Sequence, residues 1–191
     1  MVEALLFRMK KYSVIYADPP WDIKTGGDGH WGLKNGKSRL PYPSMTIDEI
    51  KKLNIKQLIN KDCKLFLWTV NKYLKESLDI MKEWGFKYST TIVWCKKPNG
   101  IGFGGTFSLT TEYLLFGVKG KVESSKRHDT TWWLEKRGKH SVKPNKFRRI
   151  IEESFPSDNK LELFARQKTE GWDVWGNEVE SDIELNSSPK N

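Results

Sequence analysis

A chain of 191 residues with 33 Lys and Arg against 24 Asp and Glu, a net charge of +9, is long enough for one domain with a full apolar core. No apolar run reaches the length of a membrane span, and the charged first ten residues do not read as a secretory signal. Two cysteines inside apparent strands and three scattered histidines exclude a disulfide scaffold and offer no metal-ligand cluster, so the expectation is a cytoplasmic protein that binds no metal.

The first predicted element is a strand from Lys11 to Ala17, a short apolar and partly β-branched run. It breaks into Asp18-Pro19-Pro20-Trp21, because proline fixes φ and lacks the N–H a strand needs. Asp18 is thereby set at the carboxyl end of a strand, where open α/β sheets hold their ligands. The exocyclic amine of a nucleobase is a weak nucleophile, since its lone pair is delocalised into the ring. A carboxylate at Asp18 and the carbonyl of Pro19 would each accept one amine hydrogen and so aim that lone pair. Trp21 would offer an aromatic face to the flat base. Such a site works by orientation and fixed dipoles. The simpler reading is a strand end followed by an ordinary Pro-Pro turn.

Asp22 to Tyr42 is polar and glycine-rich, and its place directly after the motif suggests a lid. Pro41 and Pro43 present Tyr42 as a second aromatic. Thr46 and Glu49 form a capping box, predicting a helix from about Ile47 to Ile59. Lys64 to Val70 reads as a buried strand, and Asn71 to Trp84 as an amphipathic helix closed by Gly85. Phe86 to Lys96 is a third strand, with Trp68 and Trp94 assigned to core packing. The glycine-rich stretch from Pro98 to Phe107 lacks the Gly-Lys-Ser/Thr of a phosphate loop and reads as a connection or a substrate-side loop. Thr110 to Val118 is a further strand containing Glu112.

Residues 119–149 carry 11 basic and 3 acidic side chains, whereas residues 150–191 carry 4 and 10. The basic stretch suits a polyanion, and equally a solvated surface that aids solubility. It contains Trp132 and Trp133 as a short strand or edge, and Arg137, Lys139, His140 and Lys143 cluster before Pro144. Pro144 suits the first turn of a helix through Phe155. Leu161 to Ala165 is a buried strand ending at Arg166, and Trp172 to Trp175 is the last. Residues 179–191 are expected to fray. Strands alternating with helices indicate an α/β sheet covered on both faces.

Asp18-Pro19-Pro20-Trp21, Leu40-Pro41-Tyr42-Pro43-Ser44-Met45, Leu65-Phe66-Leu67-Trp68, Gly117-Val118-Lys119-Gly120, Lys143-Pro144, Leu161-Glu162-Leu163-Phe164-Ala165-Arg166 and Gly176-Asn177 occur in this order. Together they resemble the S-adenosylmethionine-dependent adenine N6-methyltransferases related to the messenger-RNA adenosine methyltransferase, a family that includes small bacterial and phage DNA enzymes. The resemblance implies a Rossmann-like class I methyltransferase sheet, mostly parallel, in which the catalytic motif precedes the cofactor strand in a permuted order. It implies a catalytic domain over residues 1–178 and a flexible acidic tail over 179–191. Asp18, Pro19, Pro20 and Trp21 would be catalytic. Asp18, Lys143, Glu162, Phe164, Arg166, Asn177 and Glu178 would hold the cofactor, and Tyr42, Glu112, Arg137 and His140 the substrate. The implied activity is methylation of adenine N6 in DNA by base flipping and in-line transfer. RNA adenosine methylation, or a non-catalytic nucleic-acid-binding partner of an active methyltransferase, is the alternative. Nucleic acid is the expected partner, with no membrane and with homodimer or heterodimer left open.

Overall fold

The computed structural model describes residues 10–22, 44–96, 106–138 and 142–185. In chain order these form β1 (Tyr12–Ala17), α1 (Ile47–Lys51), β2 (Ile59–Thr69), α2 (Leu74–Glu83), β3 (Lys87–Lys96), β4 (Thr111–Lys119), β5 (Trp132–Glu135), α3 (Asn145–Ser154), β6 (Lys160–Leu163) and β7 (Trp172–Trp175). Five of the six residues of β1 are buried, the mark of a strand flanked on both edges and both faces. It pairs in parallel with β2 and β6, and β6 pairs in parallel with β7. On the other flank β4 runs antiparallel to both β2 and β3, and β5 is parallel to β3. The mixed seven-stranded sheet has the order β5-β3-β4-β2-β1-β6-β7. Because β4 runs against its neighbours, its first residues share a rim with the carboxyl ends of the other strands.

Alternate residues of β1 enter different apolar clusters. Ile15 and Ala17 pack with Ile50 of α1 and with Ile80 and Met81 of α2. Val14 and Tyr16 pack with Phe147, Ile150 and Ile151 of α3. Trp68 and Trp94 are buried in the second cluster, as their place in apolar strands suggested. Cys63 is buried and Cys95 half-buried, both as free thiols, and burial pushes the Cys63 thiol up to about 12.

The capping box forms as expected: Glu49 N–H donates to Thr46 Oγ1 at 3.2 Å, and Thr46 N–H donates to Glu49 Oε2 at 2.7 Å. The helix it starts is shorter than expected. It stops at Lys51, a 3-10 turn covers Ile55–Gln57, and β2 begins at Ile59. Ile50, Leu53, Ile55 and Leu58 are all buried. On one continuous helix these four would spread over more than half the circumference, so a break is what lets each reach the core. The early start of β2 was hidden by the polar run Asn60-Lys61-Asp62. Asn60 Nδ2 donates to Ser13 Oγ at 2.8 Å, and Lys121 N–H donates to Asp62 Oδ1 at 2.7 Å, so polar partners hold that extension.

Two more differences lie towards the carboxyl terminus. β6 ends at Leu163 rather than Ala165, because Phe164 adopts the left-handed φ of +63°. Residues 179–185, expected to fray, are docked. Ile183 and Leu185 pack against the core, and Asp182 accepts from Val174 N–H at 2.9 Å while pairing with Lys168. Most of the expected lid, residues 23–42, lies outside the described residues, as do residues 98–105 of the second glycine-rich stretch.

Candidate active site

Asp18 follows the last residue of β1, and the turn behind it is tightly held. Trp21 N–H donates to the Pro19 carbonyl at 2.8 Å, and Met45 N–H donates to the Pro20 carbonyl at 3.0 Å. A carbonyl oxygen has two lone pairs, so Pro19 retains one for a ligand while its direction is fixed. Trp21 itself is buried, at 4% exposure. Its ring stacks on Tyr73 at 5.3 Å, its Nε1–H donates to the Trp68 carbonyl at 3.2 Å, and the Tyr73 hydroxyl donates to the Asp22 carbonyl. The expectation that Trp21 turns an open face to a flat base is thus corrected: large apolar surface is worth more packed on Tyr73 than left in water, and the ring anchors the turn.

Four charged side chains of alternating sign meet beside this turn. Lys143 Nζ donates to both carboxylate oxygens of Asp18, at 2.8 and 2.7 Å. It lies 3.5 Å from Glu112 Oε2, whose other oxygen is 2.5 Å from Lys96 Nζ. The two ammonium groups rest on aromatic rings, Lys143 over Trp68 at 5.4 Å and Lys96 over Trp94 at 5.2 Å. Those rings meet edge to face at 6.2 Å. Burial pushes the Asp18 carboxyl above the usual aspartate range, and the attraction of Lys143 offsets that only in part. Burial acts to lower Lys143, but Asp18 and Glu112 outweigh it and hold the ammonium above its ordinary value. Lys96 is lowered by burial, with Arg137 and Lys143 adding to the effect.

A cleft opens next to Asp18, between the ends of β1, β6 and β7. Its walls are Pro20, Met45, Phe164, Ala165, Arg166, Trp175, Gly176, Asn177 and Glu178. Phe164 packs edge to face on Trp175 at 5.5 Å, and Arg166 pairs with Glu178 at 3.5 Å. Left-handed φ at a bulky residue costs about 1–3 kcal/mol and persists only where surroundings enforce it. Here it turns the chain so that Phe164 lines the cleft. The floor is backbone against backbone: Ala165 N–H donates to the Trp175 carbonyl at 2.9 Å, and a Cβ at Gly176 would overlap the Ala165 carbonyl oxygen.

The MT-A70 family model matches residues 12–178. This chain belongs to the MT-A70 family. It is 35% identical over 188 residues to the Type II methyltransferase M.MunI of Mycoplasma sp, covering 89% of this chain and 78% of that protein. It is 31% identical over 176 residues to the N(6)-adenosine-methyltransferase MT-A70-like of Arabidopsis thaliana, covering 88% of this chain and 24% of the relative. To the N(6)-adenosine-methyltransferase catalytic subunit METTL3 of Homo sapiens it is 29% identical over 179 residues, covering 89% and 28%. It therefore spans about a quarter of the length of these plant and animal relatives.

In this MT-A70 chain the fold gathers Asp18, Pro19, Lys143 and Glu112 on one rim, and Phe164, Arg166, Asn177 and Glu178 around the adjoining cleft. Glu162 does not join them. Strand alternation sends Leu161 and Leu163 into one cluster and Glu162 to the opposite face, where its carboxylate lies 2.7 Å from Arg148 of α3. Arg148 lies in turn over the Tyr16 and Trp172 rings, so the expectation that Glu162 lines the cofactor cleft is corrected to a structural ion pair. Arg137 is exposed just beyond β5 but near enough to Lys96 to act on its charge, while Tyr42 and His140 lie outside the described residues. Sequence reading missed Lys96. The signal was present, since an antiparallel pairing of two predicted strands brings the lysine ending one beside the acid near the start of the next. Among the described residues no helix is long and apolar enough to cross a membrane, and no three His, Cys, Asp or Glu side chains converge as metal ligands.

Proposed function

We propose that this chain methylates N6 of adenine in DNA, taking the methyl group from S-adenosylmethionine. The observation that carries the reading is the Asp18 carboxylate at a strand end, beside a Pro19 carbonyl held in place by Trp21 N–H, next to a cleft. The donor set of that cleft fits the cofactor. Phe164, Trp175 and Met45 give apolar surface for an adenine, Asn177 and Glu178 give partners for ribose hydroxyls, and Asp18 and Lys143 answer the ammonium and carboxylate of an amino acid. Bound there, it supplies a methyl group on a sulfonium, an electrophile needing no further activation.

Asp18 and Pro19 then accept the two hydrogens of the target amine and direct its lone pair. As nitrogen takes on positive charge, the Asp18 carboxylate stabilises it, and in a partly buried site that effect is large. The same carboxylate is the nearest base to hold the proton the nitrogen gives up. Lys143 keeps Asp18 in place, and each carboxylate oxygen retains capacity for a second donor. In a duplex the amine is paired and stacked, so the base must be flipped out or already single-stranded.

Residues 1–178 are the catalytic unit in this reading. The two apolar clusters and the strand order support a class I methyltransferase sheet covered on both faces, with the Asp18 motif preceding the cofactor strand. The motif resemblance to small bacterial and phage DNA enzymes favours DNA, and two unpaired cysteines suit a cytoplasmic setting. Adenosine in RNA is the second reading, favoured by relatives named N(6)-adenosine-methyltransferases.

The test is to incubate the purified chain and cofactor with DNA and RNA separately, then identify nucleosides by mass spectrometry. N6-methyldeoxyadenosine is expected. N6-methyladenosine from RNA alone moves the substrate to the second reading, and cytosine methylation overturns the adenine assignment. Absence of cofactor binding by calorimetry leaves only a non-catalytic partner. Gly176→Ala is expected to weaken cofactor binding about tenfold or more and to destabilise the fold by about 1–3 kcal/mol, because the added methyl meets backbone that cannot yield. Calorimetry and urea unfolding measure the two effects.

A further inference from the structure

We infer that Lys96 is a positioning residue for the Asp18 carboxylate, acting through Glu112 and Lys143. The inference rests on the methyltransferase reading for its kinetic consequence, and on geometry for the rest. Lys96 is the last residue of β3, its side chain 11% exposed, and its Nζ is 2.5 Å from Glu112 Oε1. Glu112 therefore has one oxygen committed to Lys96 and the other 3.5 Å from Lys143. Lys143 in turn sits 2.7 Å from Asp18, nearer than to Glu112.

That asymmetry is what Lys96 sets. With its charge in place, half of the Glu112 carboxylate is neutralised and Lys143 leans to Asp18. Without it, Glu112 draws Lys143 towards β4, loosens the grip on Asp18, and turns an unshielded negative charge on the reacting carboxylate. Trp68 and Trp94, in contact beneath the two ammonium groups, keep both lysines from escaping to water. The chain of charge thus runs from β3 through β4 to the residue pair before α3 and ends at Asp18, just past β1. The charged or titratable groups facing Asp18 are Lys143, Glu112, Arg166 and the Tyr16 hydroxyl, and those facing Lys96 are Glu112, Arg137 and Lys143.

The experiment is a carboxyl-carbon NMR titration of Asp18 in the full-length chain, paired with single-turnover methyl transfer across pH. Lys96→Met is expected to raise the Asp18 midpoint by about half a unit. It is also expected to slow single-turnover transfer at saturating cofactor about tenfold. Lys96→Arg restores both. Glu112→Gln, which removes the competitor for Lys143, moves the Asp18 midpoint downward, opposite in sign to Lys96→Met. A loss of packing alone would not produce shifts of opposite sign. Coincident Asp18 titrations in wild type and Lys96→Met overturn the inference, as does failure of Lys96→Arg to restore. Should Lys96→Met fail to fold, a Glu112→Gln midpoint that is unchanged or raised overturns it instead. If the wild-type chain methylates neither DNA nor RNA, the proposed function fails while the titration still decides the role of Lys96.

Discussion

Asp18→Asn is expected to slow methyl transfer by about 10²–10³-fold or more while leaving the fold in place. In the proposed reaction the amide preserves shape but removes the charge that would stabilise the reacting nitrogen, and its NH₂ end donates where acceptance is required. Lys143 would lose its nearer counter-charge but keep Glu112 at 3.5 Å, so the fall in melting temperature is modest. Single-turnover transfer measures the first effect and a circular-dichroism melt the second. Activity within tenfold of wild type removes Asp18 from the chemistry. The wild-type rate should also fall on the acid side at a pH above the ordinary aspartate range. Burial raises this carboxyl, and its protonated form cannot accept both from Lys143 and from the amine.

Trp68→Ala carries the largest expected loss of stability, about 3–5 kcal/mol. Trp68 is fully buried, meets Phe147 at 5.0 Å and Trp94 at 6.2 Å, and donates through Nε1 to the Tyr16 hydroxyl at 2.7 Å. Its removal leaves a cavity between the sheet and α3 together with an orphaned buried hydroxyl. It also removes the ring beneath Lys143, so transfer rate should fall in whatever protein remains folded. Urea unfolding with an unchanged m-value gives the stability change. A loss below about 1 kcal/mol would mean that the neighbouring rings collapse into the space.

Local chemistry made much of this molecule readable from its sequence. Proline after Asp18 had to end a strand, Thr46 and Glu49 had to cap a helix, and Gly85, at φ +87°, had to close one. What escaped depended on partners distant in the chain. Nothing around Ile55 announces that four buried positions are spaced too unevenly for one helix. Glu162 sits in a motif whose neighbours line the cleft, and only the pleat of β6 and the approach of Arg148 turn it away. Trp21 read as an exposed aromatic because Tyr73, its stacking partner, lies in a different element. Lys143 was legible as part of a basic cluster suited to a polyanion, but that its nearest anion is Asp18 required the fold.

The reversed direction of β4 has a consequence for how such a site diversifies. Had that strand run with its neighbours, Glu112 would emerge at the far edge of the sheet, on the order of 20 Å from Asp18. Instead Lys96, the last residue of β3, and Glu112, the second of β4, meet on the rim that carries Asp18. Substitutions at these two strand ends therefore reach Asp18 directly, while the parallel pairing of β1, β6 and β7 around the neighbouring cleft stays untouched.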